Sequence, residues 1–327
     1  MIYPNVHIKV PDNYTTSILK SFCKDFSLPI QIYTPEFMEY YINLYDAYYE
    51  TKFKFMELRN TINKFDSLEG FESYKHKFTD SIIDRIKESS VYNELLNCDV
   101  EAVYPIEKEV GGITFSKTVG KLYNPTNSGN YYISIDLRRA NFQALKYHNP
   151  EIVFNSNEYE ELLDVLGCQY DYFKLSKYIR QVIFGNLDMK KIPRIERYIT
   201  QNILIYIINH CQNYINRDNI EVFTTDEIII RCSEQNWYDE NKLYQLKQLI
   251  EENTNSNVHV ENYRLKYIGN NFYLKEHLND MPTFKGGSSI YFPQAFKHVE
   301  CRDLDERDLC FNYEGHIAMF KEPLIWE

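Results

Sequence analysis

Long apolar runs are missing from this sequence. No window of about 18 residues is apolar enough to span a bilayer, and residues 1–9 lack the basic start and apolar run of a secretion signal. We therefore expect neither membrane insertion nor secretion, and predict a soluble cytoplasmic protein, in a virus-infected cell if the chain is viral. Internal repeats and low-complexity linkers are also missing, which favours one compact body.

Closely spaced cysteines are missing as well. The seven cysteines are scattered, without a Cys-x-x-Cys motif or Cys/His pairs of zinc-site spacing. We interpret them as reduced and mostly buried side chains. The histidines show no ligand spacing either, which predicts structural or surface positions for His148, His210, His277 and His316.

An excess of positive charge, the usual mark of nucleic-acid binding, is also missing. The net charge is −11 at pH 7, so a surface for nucleic-acid phosphates has to be local. A basic stretch lies between residues 171 and 200, for which a charged helix face is the alternative interpretation. The candidate nucleic-acid-binding residues are Arg138, Arg139, Lys190, Lys191, Arg194 and Arg197.

Apolar and aromatic residues are abundant, at 44% and 16% of 327 residues, enough for a sizeable core. The pattern predicts helices over 36–64 and 71–96 and a β-hairpin over 111–122. The loop 124–130, rich in Asn, Gly and Pro, marks the expected lobe boundary. After it the pattern predicts a strand, helices, a strand pair, a helix and two strands, ending near residue 275.

This order predicts an α+β fold in three parts. An N-terminal helical lobe with a β-hairpin occupies 1–123, an antiparallel sheet with helices on one face occupies 131–280, and a C-terminal extension occupies 281–327. We interpret its Lys-Gly-Gly-Ser-Ser segment at 285–289 as a flexible loop. Contact with a phosphate through its backbone amides is the alternative.

An apolar strand over 131–136 ends on Asp136 and turns directly into a helix. A carboxylate on a rigid strand end suits two-metal phosphoryl transfer, in which two Mg²⁺ ions are held about 3.5 to 4 Å apart. An N-cap for the following helix is the alternative role of Asp136.

Two adjacent carboxylates, Asp226 and Glu227, interrupt a strongly β-forming apolar run over 222–231. Because buried charge is costly without a partner, this pattern favours a tight hairpin turn that presents Asp226 to metal, with Glu227 as a second ligand or a supporting group. An ordinary Asp-Glu surface turn is the alternative.

A helix over 174–185 places Lys177, Arg180 and Phe184 on one face. Lys177 and Arg180 suit a triphosphate, because Arg can bind phosphate with two parallel hydrogen bonds. Phe184 would stack on the base, and Gly185 would leave room for close approach. An amphipathic surface helix with Phe184 in the core is the alternative.

In order and character these three segments resemble motifs A, B and C of right-hand polymerases, above all family A DNA polymerases and phage-type single-subunit RNA polymerases. The second match is a basic residue, Arg180, four positions before an aromatic-Gly pair, and Thr225-Asp226-Glu227 resembles motif C. The resemblance covers about 131–275. It implies a palm with abbreviated fingers over 131–280, a thumb-like N-terminal lobe, and Mg²⁺ or Mn²⁺ held by Asp136 and Asp226.

The sequence also departs from these families. Arg180 stands where they have Lys, which weakens a proton-donor role, Thr225 replaces His, and Asn141 stands where family A has a Glu that excludes ribonucleotides. Phe142 is a candidate steric gate, as in reverse transcriptases. The Tyr-Phe-Pro-Gln segment at Tyr291 is similar in character to segments of uncharacterised large-DNA-virus proteins.

We therefore predict a nucleotidyltransferase that polymerises NTPs or dNTPs onto the 3′-hydroxyl of a DNA or RNA primer, in replication or transcription. Two alternatives stand beside it: a catalytically inactive, polymerase-derived accessory protein of a replication or transcription complex, and a palm-type nucleotidyl cyclase. The candidate catalytic residues are Asp136, Asp226 and Glu227, and the candidate nucleotide-binding residues are Lys174, Lys177, Arg180, Phe184, Gly185, Asn141 and Phe142.

Overall fold

A six-stranded antiparallel sheet forms the centre of the fold in the described part of the chain. The structure is a computed structural model that describes residues 7–187, 190–234 and 239–326. Two short hairpins accompany the sheet. The strands are β1 (Glu109–Val110), β2 (Ile113–Thr114), β3 (Tyr131–Leu137), β4 (Ile220–Phe223), β5 (Glu227–Cys232), β6 (Val258–Gly269), β7 (Phe272–Glu276), β8 (Thr283–Gly286), β9 (Cys310–Tyr313) and β10 (His316–Met319).

The helices lie before, between and after these strands. The longer ones carry apolar residues at the three- and four-residue spacing that a buried helix face requires. The helices are α1 (Thr16–Asp25), α2 (Pro35–Leu44), α3 (Asp46–Tyr49), α4 (Thr51–Ile62), α5 (Leu68–Glu88), α6 (Ser90–Asn97), α7 (Val100–Val103), α8 (Ala140–His148), α9 (Tyr159–Val165), α10 (Asp171–Leu175), α11 (Lys177–Gly185), α12 (Lys191–His210), α13 (Glu240–Thr254) and α14 (Phe292–Val299).

Strand β3 lies inside the sheet, whose order is β4-β5-β3-β6-β7-β8. It is antiparallel to both neighbours: Asp136 lies opposite Glu227 on β5 and opposite His259 on β6. Because a slip of one residue would turn every side chain of β3 to the other face, this double pairing fixes where the Asp136 side chain points.

The two faces of the sheet have different partners. Ile133, Ile135 and Leu137 of β3 belong to the large core that includes the helices, whereas Tyr132 belongs to a smaller cluster on the other face. Side chains alternate along a strand, so Asp136 shares the face of Tyr132. The fold agrees with the predicted α+β class: an antiparallel sheet packs against helices on one face.

Several predicted helices are divided in the structure. The predicted helix over 36–64 is broken at Glu50, which has a left-handed φ of 50°. The predicted helix over 71–96 ends at Ser89, whose hydroxyl accepts from the amide of Tyr92 at 3.1 Å and starts α6. A Ser hydroxyl competes with the backbone in this way at many helix starts.

The predicted hairpin and C-terminal boundary are displaced. The hairpin is confined to β1 and β2 around Gly111 and Gly112, and Leu122 packs instead on the second face of the sheet. The sheet also continues past residue 280, because β8 pairs with β7. Lys285 therefore lies in strand β8, and the prediction of a flexible loop over 285–289 is wrong for the residues that belong to this strand.

The predicted lobes share one core, because a single cluster of buried apolar side chains extends from Ile8 to Phe296. The C-terminal part is attached to the N-terminal helices through the fully buried Asp308, which accepts from the Tyr40 hydroxyl at 2.8 Å and lies 3.5 Å from Lys297 Nζ.

Basic side chains of α12 fasten this helix to the N-terminal region. Lys191 Nζ donates to three carbonyl groups at the end of α6, at 2.5 to 2.9 Å. Arg194 Nε donates to carbonyl groups at the two ends of α7, at 3.0 and 3.1 Å. Arg197 donates to the Glu107 carbonyl at 2.7 Å and lies 3.6 Å from the centre of the Phe115 ring. The carbonyl groups of Leu95, Cys98 and Val100 also accept from backbone amides, so the cations add a second donor and join α12 to the N-terminal region.

Over the described ranges, none of the helices combines the length and apolar character needed to cross a membrane.

We predict that Lys191→Met destabilises the protein by about 1 to 3 kcal/mol, because α6 loses the ammonium group that joins three of its carbonyl groups, two of them partly buried, to α12. Urea unfolding followed by circular dichroism measures this change. Lys77→Met, which removes an exposed lysine from α5, is the matched control, with an expected change below about 0.5 kcal/mol. Equal stabilities of the two variants would contradict the proposed capping role of Lys191.

Candidate functional site

The two aspartates predicted to hold metal lie next to each other at one end of the sheet. Asp136 is the penultimate residue of β3, and Asp226 lies in the turn that joins β4 to β5. The amide of Leu137 donates to the Asp226 carbonyl at 2.7 Å, which holds this turn against the end of β3. The structure thus brings Asp136, Asp226 and Glu227 together, as the sequence predicts.

The turn that carries Asp226 is held by its own threonines. The Thr224 hydroxyl accepts from the Glu227 amide at 3.0 Å and is 3.3 Å from Asp226 Oδ1. From α12, the Thr200 hydroxyl donates to the Thr225 carbonyl at 2.8 Å. The turn is therefore tied both to itself and to a long helix, which restricts the position of the Asp226 carboxylate.

The carboxylates repel one another. Burial, followed by the charges of Asp226 and Glu227, raises the pKa of Asp136 from 3.8 to about 7. Burial, followed by the charge of Asp226, raises the pKa of Glu196 on α12 to about 7 as well, although a hydrogen bond from Asn141 acts in the opposite direction. Like charges in a site of low polarity favour a protonated carboxyl or a bound cation.

The donor set fits a magnesium ion held by few protein ligands. Mg²⁺ in phosphoryl-transfer sites is commonly bound by one or two carboxylates, substrate phosphates and water, and Asp136 and Asp226 supply two carboxylates on fixed backbone. Within the described residues, no group of three or more His, Cys, Asp or Glu side chains has the geometry of a closed metal site.

Sequence reasoning missed the ionic cluster on β6 and β7. Lys275 Nζ lies 2.6 Å from Glu261 and 3.9 Å from Glu227, and its side chain is 6% exposed. His259 Nε2 lies 3.8 Å from Glu261, and His277, predicted to be structural or at the surface, lies 4.0 Å from it. The sequence could have indicated this cluster: His259 and Glu261 are two residues apart on a predicted strand, which places both side chains on one face.

The charges of this cluster are compensated. Burial opposes ionisation of Glu261, but hydrogen bonds from His259 and Lys275 lower its pKa to about 2. The hydrogen bond to Glu261 in turn raises the pKa of His259. A cavity of 470 Å³ adjoins His259, Glu261 and His277, a volume in the range of small-molecule sites.

The predicted phosphate-binding cations occupy different environments. Lys174 is engaged by Asp164 at 2.6 Å and Asp171 at 3.3 Å, so its charge is already compensated. Lys177, the first residue of α11, is exposed. Arg180 is half-buried over the Tyr159 ring, with 5.8 Å between guanidinium and ring centre. Among the described residues, Arg180 has no carboxylate within ion-pair distance.

The predicted aromatic contacts to the nucleotide do not match the structure. Phe142 and Phe184 are buried, with 0% and 2% exposure, and their ring centres are 6.5 Å apart. Neither ring has a surface to present to a base, so the steric-gate and stacking roles are not supported, and the core alternative for Phe184 is favoured. Gly185 ends α11 next to open space.

The residues around the end of β3 also differ from expectation. Asn141 donates to Glu196 rather than pointing freely toward a nucleotide. Arg139 is bound by Glu158, at 3.1 Å, and by Glu160. Arg138 is exposed and remains a candidate for contact with nucleic acid.

Most of the α12 residues predicted to bind nucleic acid make hydrogen bonds within the protein instead. Lys191, Arg194 and Arg197 donate to backbone carbonyl groups of the N-terminal region, so these three assignments are not supported. Lys190 precedes α12 and is exposed. Three of the basic side chains in this stretch therefore connect α12 to the N-terminal region of the fold.

Comparisons of the chain with known protein families, with curated proteins and with solved structures found no match.

We predict that Asp136→Asn stabilises the metal-free protein, by an amount that grows between pH 4 and pH 7 and is constant above. The pKa of Asp136 is higher in the folded state than in the unfolded chain. Proton binding by Asp136 therefore stabilises the folded state fully below pH 4, and this stabilisation is lost as the pH rises through about 7. At pH 8 we expect a gain on the order of 2 kcal/mol, measured by urea unfolding in EDTA.

The exposed Asp80 of α5 provides the control. Asp80→Asn should leave stability nearly unchanged across the same pH series. A gain for Asp136→Asn that does not depend on pH would show that the carboxylates do not crowd one another.

Proposed function

We propose that this chain is a two-metal nucleotidyltransferase that adds NTPs or dNTPs to the 3′-hydroxyl of a nucleic acid. One observation carries the proposal: Asp136 at the end of β3 and Asp226 in the β4–β5 turn are held side by side, by the hydrogen bond of 2.7 Å between Leu137 and Asp226. This proximity supports the proposal, because two-metal transfer requires carboxylates that can share a pair of Mg²⁺ ions.

Asp136 and Asp226 would hold Mg²⁺ or Mn²⁺, which when bound activates the attacking hydroxyl and neutralises charge on the phosphates. Glu227 is oriented by the Ser134 hydroxyl, which donates to it at 2.5 Å, and would support the pair from the same face. Rigid orientation of this kind suits phosphoryl transfer, where the protein contributes mainly positioning and electrostatic stabilisation.

The order of elements supports a polymerase-like palm. The strand that carries Asp136 lies between the hairpin that carries Asp226 and strand β6. Helices α8 to α12 connect the strand to the hairpin, and Arg180 on α11 is free of ion pairs in the described part of the chain. This is the arrangement that the resemblance to motifs A, B and C implies.

A palm-type nucleotidyl cyclase is the second candidate. The net charge of −11 and the internal use of Lys191, Arg194 and Arg197 favour a substrate with few phosphates over a long nucleic acid. Such an enzyme would use the same two aspartates and would release a cyclic or dinucleotide product.

We predict that purified protein with Mg²⁺ or Mn²⁺ extends a labelled DNA or RNA primer with NTPs or dNTPs. Asp136→Ala and Asp226→Ala should each lower the rate by roughly 100-fold or more, because each removes a charge needed in the transition state. Denaturing gels measure the extension, and chromatography of the nucleotides detects cyclic products.

Asp80→Ala, on the surface of α5, should extend the primer at the wild-type rate. Metal-dependent cyclic products without extension would establish the cyclase. Absence of both products in a folded wild-type protein would reject an enzyme and favour the accessory-protein alternative.

We also predict metal binding that depends on both aspartates. Mn²⁺ titration followed by electron paramagnetic resonance at pH 8 should show binding to the wild type and at least about 10-fold weaker binding to Asp136→Asn and to Asp226→Asn, because each loses a ligand charge. EDTA should abolish primer extension. Equal Mn²⁺ affinity of wild type and both variants would exclude these aspartates as ligands.

A further inference from the structure

Lys285 of β8 lies on the face of the sheet that carries the candidate site. It is opposite Tyr273 on β7, and Lys275 is opposite Thr283, so the two lysines share one face. Tyr273 belongs to the smaller cluster on the face of Asp136. Lys285 therefore extends the row of charged side chains that begins at Asp136.

The backbone beyond Lys285 is fixed by two glycines. Gly286 and Gly287 have φ values of 70° and 64°, and a Cβ would lie 2.4 Å from the Asn271 carbonyl at Gly286 and within 2.3 Å of the Phe272 ring at Gly287. The Gly287 amide already donates to the Asn271 carbonyl at 2.8 Å. Recognition of an anion here would thus come from the Lys285 side chain rather than from that amide.

The charge of Lys285 lacks a compensating contact. Lys275 is bound by Glu261 at 2.6 Å, with Glu227 at 3.9 Å. Lys285 is half-buried, yet within the described ranges its ammonium group makes no hydrogen bond or ion pair. A partly desolvated ammonium group without a partner costs free energy. A bound anion would lower this cost.

A second free lysine lies close to the first. Burial, followed by the charge of Lys275, lowers the pKa of Lys285; the charges of Glu261 and Glu227 oppose this shift, and the charge of Lys177 adds to it. Lys177 is exposed at the start of α11 and has no ion-pair partner among the described residues. Lys177 on α11 and Lys285 on β8 are thus near enough for their charges to interact, and Glu261 and Glu227 are within the same range of Lys285 without forming an ion pair with it.

We propose that Lys285, together with Lys177, binds the polyphosphate chain of the nucleotide substrate. The inference rests on the proposed function for the identity of that substrate. Two neighbouring cations suit a polyphosphate, which carries several negative charges within a few ångströms, better than a phosphodiester, which carries one. This assigns to Lys285 the role that the sequence analysis predicted for Lys174, whose charge is compensated by Asp164 and Asp171.

The test is isothermal titration of the 327-residue protein with inorganic tripolyphosphate at low salt and without divalent metal, so that binding does not depend on the proposed metal site. Lys285→Met should weaken binding about 10-fold, and Lys285→Arg should restore most of it. The control is Lys266→Met: Lys266 is in the same sheet, on the opposite face, and pairs with Glu276 at 3.7 Å. It should bind like the wild type.

No binding by the wild type, or equal binding by wild type and Lys285→Met, would overturn the proposal. Equal losses in Lys285→Met and Lys266→Met would also overturn it, since they would indicate attraction by overall charge. Because Lys285 has no partner to lose, Lys285→Met should fold at least as stably as the wild type. Lys285-dependent tripolyphosphate binding without primer extension would retain the anion site and reject only nucleotidyl transfer.

Discussion

The pairing of β3 with β5 is the constraint on which the candidate site depends. It places Asp136 opposite Glu227 and, through the Leu137 amide, fixes the turn that carries Asp226. Carboxylates that would separate in a flexible loop are kept close by a ladder of backbone hydrogen bonds. The cost appears as the raised pKa of Asp136. Functional sites often retain such unfavourable electrostatics, because the surrounding fold stabilises the arrangement.

Cations on α12 and cations near the sheet have different roles. Those on α12 donate to carbonyl groups of the N-terminal region, as Lys191 does. Those near the sheet are either compensated by carboxylates, as Lys275 is, or uncompensated, as Lys285 is. An acidic protein can in this way keep a small number of positive charges for a ligand while most others contribute to the fold.

The sequence predicted the backbone of the site better than its side chains. Strand β3 and the β4–β5 hairpin follow from strongly β-forming runs that end in carboxylates, so their proximity could be anticipated. The roles of Lys191 and Phe142 could not be predicted. A lysine that binds the end of a distant helix has the same local sequence pattern as an exposed lysine, and a phenylalanine in the core has the same pattern as one that contacts a ligand. The positions of Lys285 and Glu261 relative to the site depend on the register between strands, which the periodicity of a single sequence does not determine.

The burial of Phe184 limits how the region around α11 can move. Its ring packs against Phe142 on α8 and against Tyr159, with ring centres 6.5 and 5.9 Å apart. Swinging α11 away from these two rings as a rigid lid would expose Phe184 to water, at a cost of about 2 kcal/mol for the side chain alone. A ligand that reaches Lys177 or Arg180 would therefore meet side chains carried by a helix that the core holds in place.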